Sequence, residues 1–158
     1  KKYLQKAVDL TFTQGTDFSH LEKRKGIWYR ENEETPYTGK CIGYFNSGER
    51  GLSGSYQDGQ RSGHWIYWYR NGQKKMEGNF ISGRSHGKLS YWYEDGIVKV
   101  DARYYLGKID GHNRYFYKNG SLAKETWYEN GKPMGWIIYN KRGKITERFG
   151  ELGKNDSR

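Results

Sequence analysis

The chain has a single cysteine, Cys41, and two prolines in 158 residues. A lone cysteine excludes an intrachain disulfide and leaves the redox compartment open. No stretch approaches the ~18 consecutive apolar residues of a membrane-spanning helix. Leu, Ile and Val together number only 20, too few for an aliphatic core wrapped by helices. The phosphate-cradling pattern G-x-x-x-x-G-K-[ST] is missing, and close glycine pairs such as Gly54 and Gly59 open no helix. Aromatics and glycine are abundant instead: 15 Tyr, 6 Trp, 6 Phe and 22 Gly. That composition favours twisted sheet with tight turns. A net charge of +10 attracts anionic partners.

The glycines are periodic. One series is Gly39, Gly63, Gly87, Gly111 and Gly135; a second is Gly48, Gly72, Gly96 and Gly120, with Gly143 one residue early. A third is Gly59, Gly83, Gly107 and Gly131. Three series in phase at 24 residues define a repeat protein. Each unit reads as an aromatic strand, a turn, a charged strand and a second turn. Asn71-Gly72, Asp95-Gly96 and Asn119-Gly120 are strong hairpin signals, because Asn and Gly accept positive φ. Asp58-Gly59, Ser82-Gly83, Leu106-Gly107 and Asn130-Gly131 turn the chain again. Two turns per unit without a crossover predict an all-β, repetitive antiparallel meander. Ten or so strands at ~4.8 Å spacing span roughly 50 Å.

Strand alternation divides the side chains between two faces. With two-residue turns, Tyr67, Tyr91, Tyr115 and Tyr139 form a ladder beside Phe80, Tyr104 and Tyr128. Gly54, Gly78, Ala102 and Thr126 leave room beside the rings. The opposite face carries Tyr44, Trp68, Trp92 and Phe116 among Lys75, Glu77, Lys99, Asp101 and Glu125. A three-residue loop with a glycine bulge shifts the register by one and changes these partners. Either arrangement leaves aromatic stripes on both faces.

Three regions follow. Residues 1–24 form an N-terminal cap and first strand; 25–149 hold the array, entered through a divergent half-repeat; 150–158 are a polar tail. The cap is expected to cover the first sheet edge. The chain begins at Lys1, so an upstream segment such as a signal peptide is expected to have preceded it.

The Y-x-N-G…G-x-x-x-G unit, with P-Y-T-G-K at Pro36–Lys40 and W-Y-R-N-G at Trp68–Gly72, resembles the MORN-repeat variant of bacterial antitoxin-like proteins. The likeness covers roughly Lys25 to Phe149 and departs in the last unit, where Asn140 replaces an aromatic and Arg142 the turn asparagine. It implies an elongated, single-layer β-meander that binds rather than catalyses, and it transfers no catalytic residues. The compartment stays open: the bacterial cytoplasm or, if an upstream signal peptide was removed, the cell envelope or the outside of the cell.

Candidate chemistry is sparse. His64 and His112 share a repeat position two units apart, roughly 19 Å at ~4.8 Å per strand, too far for one metal. They and His86 read as turn histidines on a wet edge. Cys41 matches Trp65, Leu89, Asn113 and Ile137 in the repeat, which makes it a small packing residue rather than a nucleophile. Glu77, Asp101 and Glu125 also recur, as strand carboxylates facing Lys or Arg rather than an acid–base pair. No catalytic, cofactor or metal site is expected, and the chain reads as a non-enzyme.

What remains is a surface. Lys40, Arg61, Arg84, Lys88, Lys108 and Lys132 fall near the turns that join units and are expected along one rim. Tyr44, Trp68, Trp92 and Phe116 supply aromatic anchors of the kind that dominate hot spots, and basic charge orients an acidic partner. The leading expectation is a protein-interaction module, an immunity, antitoxin-like or scaffold protein. The alternative is a binder of anionic surfaces, phospholipid headgroups or nucleic acid. Homodimerisation through a sheet edge or aromatic face is a further expectation.

Overall fold

A computed structural model describes residues 15–150. The expected tail beyond Gly150 and most of the expected cap, residues 1–14, lie outside them. The regular structure of the described chain is all strand apart from one 3-10 turn at Phe18–His20. The strands are β1 (Thr16–Asp17), β2 (Leu21–Arg24), β3 (Ile27–Arg30), β4 (Gly39–Tyr44), β5 (Arg50–Gln57), β6 (Gln60–Trp68) and β7 (Lys74–Ile81). There follow β8 (Arg84–Trp92), β9 (Val98–Tyr105), β10 (Lys108–Phe116), β11 (Leu122–Glu129), β12 (Lys132–Tyr139) and β13 (Ile145–Phe149). From β4 to β13 every strand pairs with the next, antiparallel, in one open meander. β1 adds in parallel beside β4, Thr16 opposite Cys41, and so covers part of the first edge.

Both turn geometries weighed from the sequence occur, one on each rim. Where the charged strand meets the next aromatic strand, two residues turn the chain. Asp58-Gly59, Ser82-Gly83, Leu106-Gly107 and Asn130-Gly131 all lie at positive φ, as a type I′ turn requires. At the other rim the loops have three residues: in Arg70-Asn71-Gly72, the Gly72 N–H donates to the Tyr69 carbonyl at 3.0 Å, and the Tyr69 N–H to the Gln73 carbonyl at 2.8 Å. The register steps by one beside each such loop, for example between Tyr67 and Trp68. A further irregularity sits at Gly63, Gly87 and Gly111, all at positive φ, where the even-numbered strand carries two residues more than its predecessor.

Each unit is tied to the next on both rims. The turn glycine N–H groups of Gly83, Gly107 and Gly131 donate to the carbonyls of Arg61, Ser85 and Ile109 at 2.8–2.9 Å. On the loop rim, the hydroxyls of Tyr69, Tyr93 and Tyr117 donate to the carbonyls of Trp92, Phe116 and Tyr139 at 2.8 Å. Phe45, at the same repeat position, lacks the hydroxyl.

Cross-strand pairs share a face, so the register names the rows. One inner row runs Cys41, Gly54, Trp65, Gly78, Leu89, Ala102, Asn113, Thr126, Trp136. Large and small alternate for a steric reason: a Cβ on Gly54 would lie 2.2 Å from the Trp65 ring, and one on Gly78 2.3 Å from Leu89 Cδ1. A second inner row contains Leu52, Tyr67, Met76, Tyr91, Val100, Tyr115, Lys124 and Ile138. Here Ile138 takes the rung expected of Tyr139, and Trp136 that of Ile137, because the final unit is one residue short.

The core occupies only one end of this inner face. The β2–β3 hairpin, expected as a half-repeat entering the array, instead forms its own two-stranded sheet, and it spans the expected 24/25 boundary. It is laid over the first strands. The Trp28 N–H donates to the Gly59 carbonyl at 2.9 Å, and Phe18, Trp28, Tyr56 and Trp65 follow one another at ring separations of 4.9–5.6 Å. Under this roof Trp65 is fully buried, and Cys41, Tyr56 and Phe80 nearly so.

Candidate functional site

Beyond β8 the roof ends while the ladder continues. Tyr91 is 38% and Tyr115 42% exposed, whereas Trp65 is 0% exposed. Tyr104, Tyr128, Val100 and Ile138 line the same stretch, half-buried. Its floor holds Ala102, Thr126 and Asn113. Asn113 is only 2% exposed, stands where the roofed half carries Trp65, and its Oδ1 has no hydrogen-bond partner. Its Nδ2 reaches Tyr115 Oη at 3.4 Å. Burial, then the neighbouring tyrosines, raises the Tyr104 pKa, so that ring presents a neutral hydroxyl. The result is an open trough of rings with polar tips, uncovered by any described part of the chain.

The outer face is organised by charge. A cross-strand pair recurs in three successive units: His64–Glu77 at 2.9 Å, Lys88–Asp101 at 3.3 Å and His112–Glu125 at 2.9 Å. Lys74 reinforces Glu77 at 2.8 Å, and Arg114 donates to Glu125 at 2.6 Å. The hydrogen bond from Lys74 holds the Glu77 carboxyl below its usual range, with His64 adding to it. The recurring carboxylates do face cations, as expected. The histidines do not sit at turns: His64, His86 and His112 lie within β6, β8 and β10, because the two-residue turns come four to six residues earlier. No three His, Cys, Asp or Glu among the described residues are placed to hold a metal ion. Burial pushes the Cys41 thiol up to about 12, which leaves it a poor nucleophile.

The surface residues singled out from sequence separate into four places. Trp68, Trp92 and Phe116 lie on the outer face beside the three-residue loops, half-buried; Tyr44, at the same position, is 53% exposed. Arg50 lies 5.8 Å from the Trp68 ring, and Lys74 5.8 Å from the Trp92 ring. Arg84, Lys108 and Lys132 open strands on the opposite rim, where the stems of Arg84 and Lys108 lie against the turn glycines Gly107 and Gly131. Lys88 belongs to the outer face, paired with Asp101. Arg61 stacks 3.9 Å over Phe80 at the roofed end. Aromatic anchors and basic rim therefore sit at opposite ends of the strands rather than in one patch.

Two features escaped the sequence reading. One is that the hairpin roofs only half of the expected tyrosine ladder and leaves the other half as an open trough. The other is an outer depression of about 590 Å³ around Gly87 and Gly111, lined by Lys88, Asp101, Arg103, His112, Arg114 and Trp127. A signal for the second was present: Arg103 and Arg114 depart from Asn79 and Ser90, one unit earlier.

No family model matches the chain, and no curated protein does. Among solved structures, a crystal structure of the GtfA/B complex bound to UDP and GlcNAc aligns at 10% identity and a TM-score of 0.27. That alignment covers 88% of this chain but 26% of the other, so the chain spans about a quarter of the protein it aligns with.

Proposed function

We propose that the protein is a non-enzymatic interaction module, of the MORN-like antitoxin or scaffold kind, that binds an acidic partner protein in the tyrosine trough of its inner face. One observation carries the reading. The same face is roofed by the chain's own aromatic hairpin at β4–β7 and bare from Tyr91 in β8 through β12, with Tyr91 38% and Tyr115 42% exposed. The roofed half is an example of what the surface accepts: a short strand pair offering rings such as Phe18 and Trp28. Tyrosine-rich, half-desolvated patches are the usual seat of interface hot spots. The net charge of +10 would speed encounter with an acidic partner.

The test is affinity capture from a nuclease-treated bacterial lysate, washed at low and then high salt. A defined protein retained through both washes, and lost with Tyr91→Ser plus Tyr115→Ser while the thermal melt is unchanged, supports the trough. Loss instead with Trp68→Ala plus Trp92→Ala moves the site to the outer face. Retention by both double variants excludes the trough and the outer aromatic row as the interaction surface.

A second reading rests on the two-residue-turn rim. Ile81, Tyr105, Leu106 and Met134 are 39–59% exposed there, beside Arg84, Lys108 and Lys132, which have no ion-pair partner among the described residues. Asp110 and Glu129 share the rim, but the Asp110 carboxylate accepts the Asn130 N–H. Leu106 holds φ +46, an unfavourable conformation for leucine, in order to stand at a turn. Apolar tips among cations suit an anionic lipid surface. Salt-sensitive sedimentation with anionic vesicles, weakened by Leu106→Asn, would favour that reading over the trough.

A further inference from the structure

We propose that the outer depression at the β8–β10 bulges is a binding site for a phosphate monoester, held by Arg103, Arg114 and Lys88 against Trp127. Between the pairs Ile109–Tyr104 and Asn113–Ala102, three residues of β10 oppose Arg103 alone, so the sheet opens at that point. Gly87 and Gly111, at φ +77 and +89, form the floor; no atom lies within 4 Å of a Cβ built on Gly87, and only the Arg103 side chain approaches one on Gly111. The bulge itself is part of the repeat, since Gly63 makes the same break between β5 and β6.

The side chains around it are not part of the repeat. Positions 79, 103 and 127 read Asn, Arg, Trp, and positions 66, 90 and 114 read Ile, Ser, Arg. Only at the third bulge do these departures place two arginines, a lysine and an indole around one hollow. Lys88 and Arg103 are direct cross-strand partners, a like-charge pairing that destabilises a sheet. Arg103 has no ion-pair partner among the described residues, while Asp101 and Glu125 anchor Lys88 and Arg114 in place. Three cations against two carboxylates leave the hollow positive. Guanidinium groups match the geometry of phosphoryl oxygens. His112 packs edge-on to Trp127 at 4.5 Å and stiffens the wall on which a planar substituent would rest.

The repeat supplies its own controls, because Arg103→Asn and Arg114→Ser install the residues that the preceding unit carries. Isothermal titration of the full chain uses two probes, inorganic phosphate and phenyl phosphate, with acetate as a control for plain charge. Saturable binding of either phosphate, weakened about tenfold or more in the double variant at unchanged melting temperature, is expected. Whichever probe binds tighter tells a free phosphate from a ring-bearing ester. No saturable phosphate binding, equal binding by the double variant, or acetate bound as well as phosphate overturns the site.

Discussion

The two halves of the inner face share one ladder and differ in what lies above it. At β5–β7, Trp65 is enclosed between Gly54 and Gly78 below and the β2–β3 hairpin above. At β9–β11, the equivalent rung is Asn113 between Ala102 and Thr126, with exposed tyrosines around it. A single-layer sheet has little apolar surface it can hide by itself, so a borrowed layer decides which half becomes core. The contrast also explains the small rungs. Glycine is needed at 54 and 78, where a Cβ would run into the Trp65 ring and Leu89 Cδ1, whereas Ala102 fits between Leu89 and Asn113.

The sharpest way to break the contrast is to truncate both rungs. Trp65→Ala should cost about 3–5 kcal/mol in urea unfolding, as large-to-small changes at fully buried aromatics do, while Asn113→Ala should cost under about 1 kcal/mol. Equal losses would mean that the bare half is as much core as the roofed one. Next in size, Gly54→Ala places a methyl 2.2 Å from the Trp65 ring and should destabilise by about 3 kcal/mol through overpacking. A change below half that figure would show that the hairpin roof yields.

Asn113→Leu runs the other way. It restores the residue type of Leu89 and removes an amide oxygen that has no partner, so a gain of about 1 kcal/mol is expected. A loss would place an unseen partner at that oxygen. The smallest effect concerns acid. Lys74 and His64 hold the folded Glu77 pKa below its usual 4.5, so the stability it contributes is present above that value. It is lost as pH falls through the lower folded pKa. Glu77→Gln should therefore flatten the acid side of the stability profile slightly and leave the roofed core's neutral-pH packing alone. An unchanged acid limb in melts recorded across that range would remove Glu77 from the account.

How much of this could be read beforehand depended on how local the cause was. The turns were legible because a positive φ is a demand on one or two residues, and Gly59, Gly72 and their equivalents answer it in the sequence. The meander followed from two such turns per unit. The roof was not legible. Phe18–Lys23 and Ile27–Glu31 look like any strand pair, and their placement over Tyr56 rather than beside β4 depends on distant packing. The last rung shifted from Tyr139 to Ile138 because one residue is missing before Gly143, a deletion visible in the glycine spacing but not carried through to the side chains. Reading the basic residues as one rim overlooked Arg103 and Arg114, which stand out only when compared column by column with Asn79 and Ser90.

The ties on both rims join each unit to its immediate successor: a turn glycine to the carbonyl of the preceding turn region, a tyrosine hydroxyl to the next aromatic strand. None of these bonds spans the length of the array. A gene that duplicated or dropped one whole unit between β8 and β12 would therefore change the molecule's reach without redesigning its centre. Such a lineage could vary its bare surface freely while inheriting the roofed end intact.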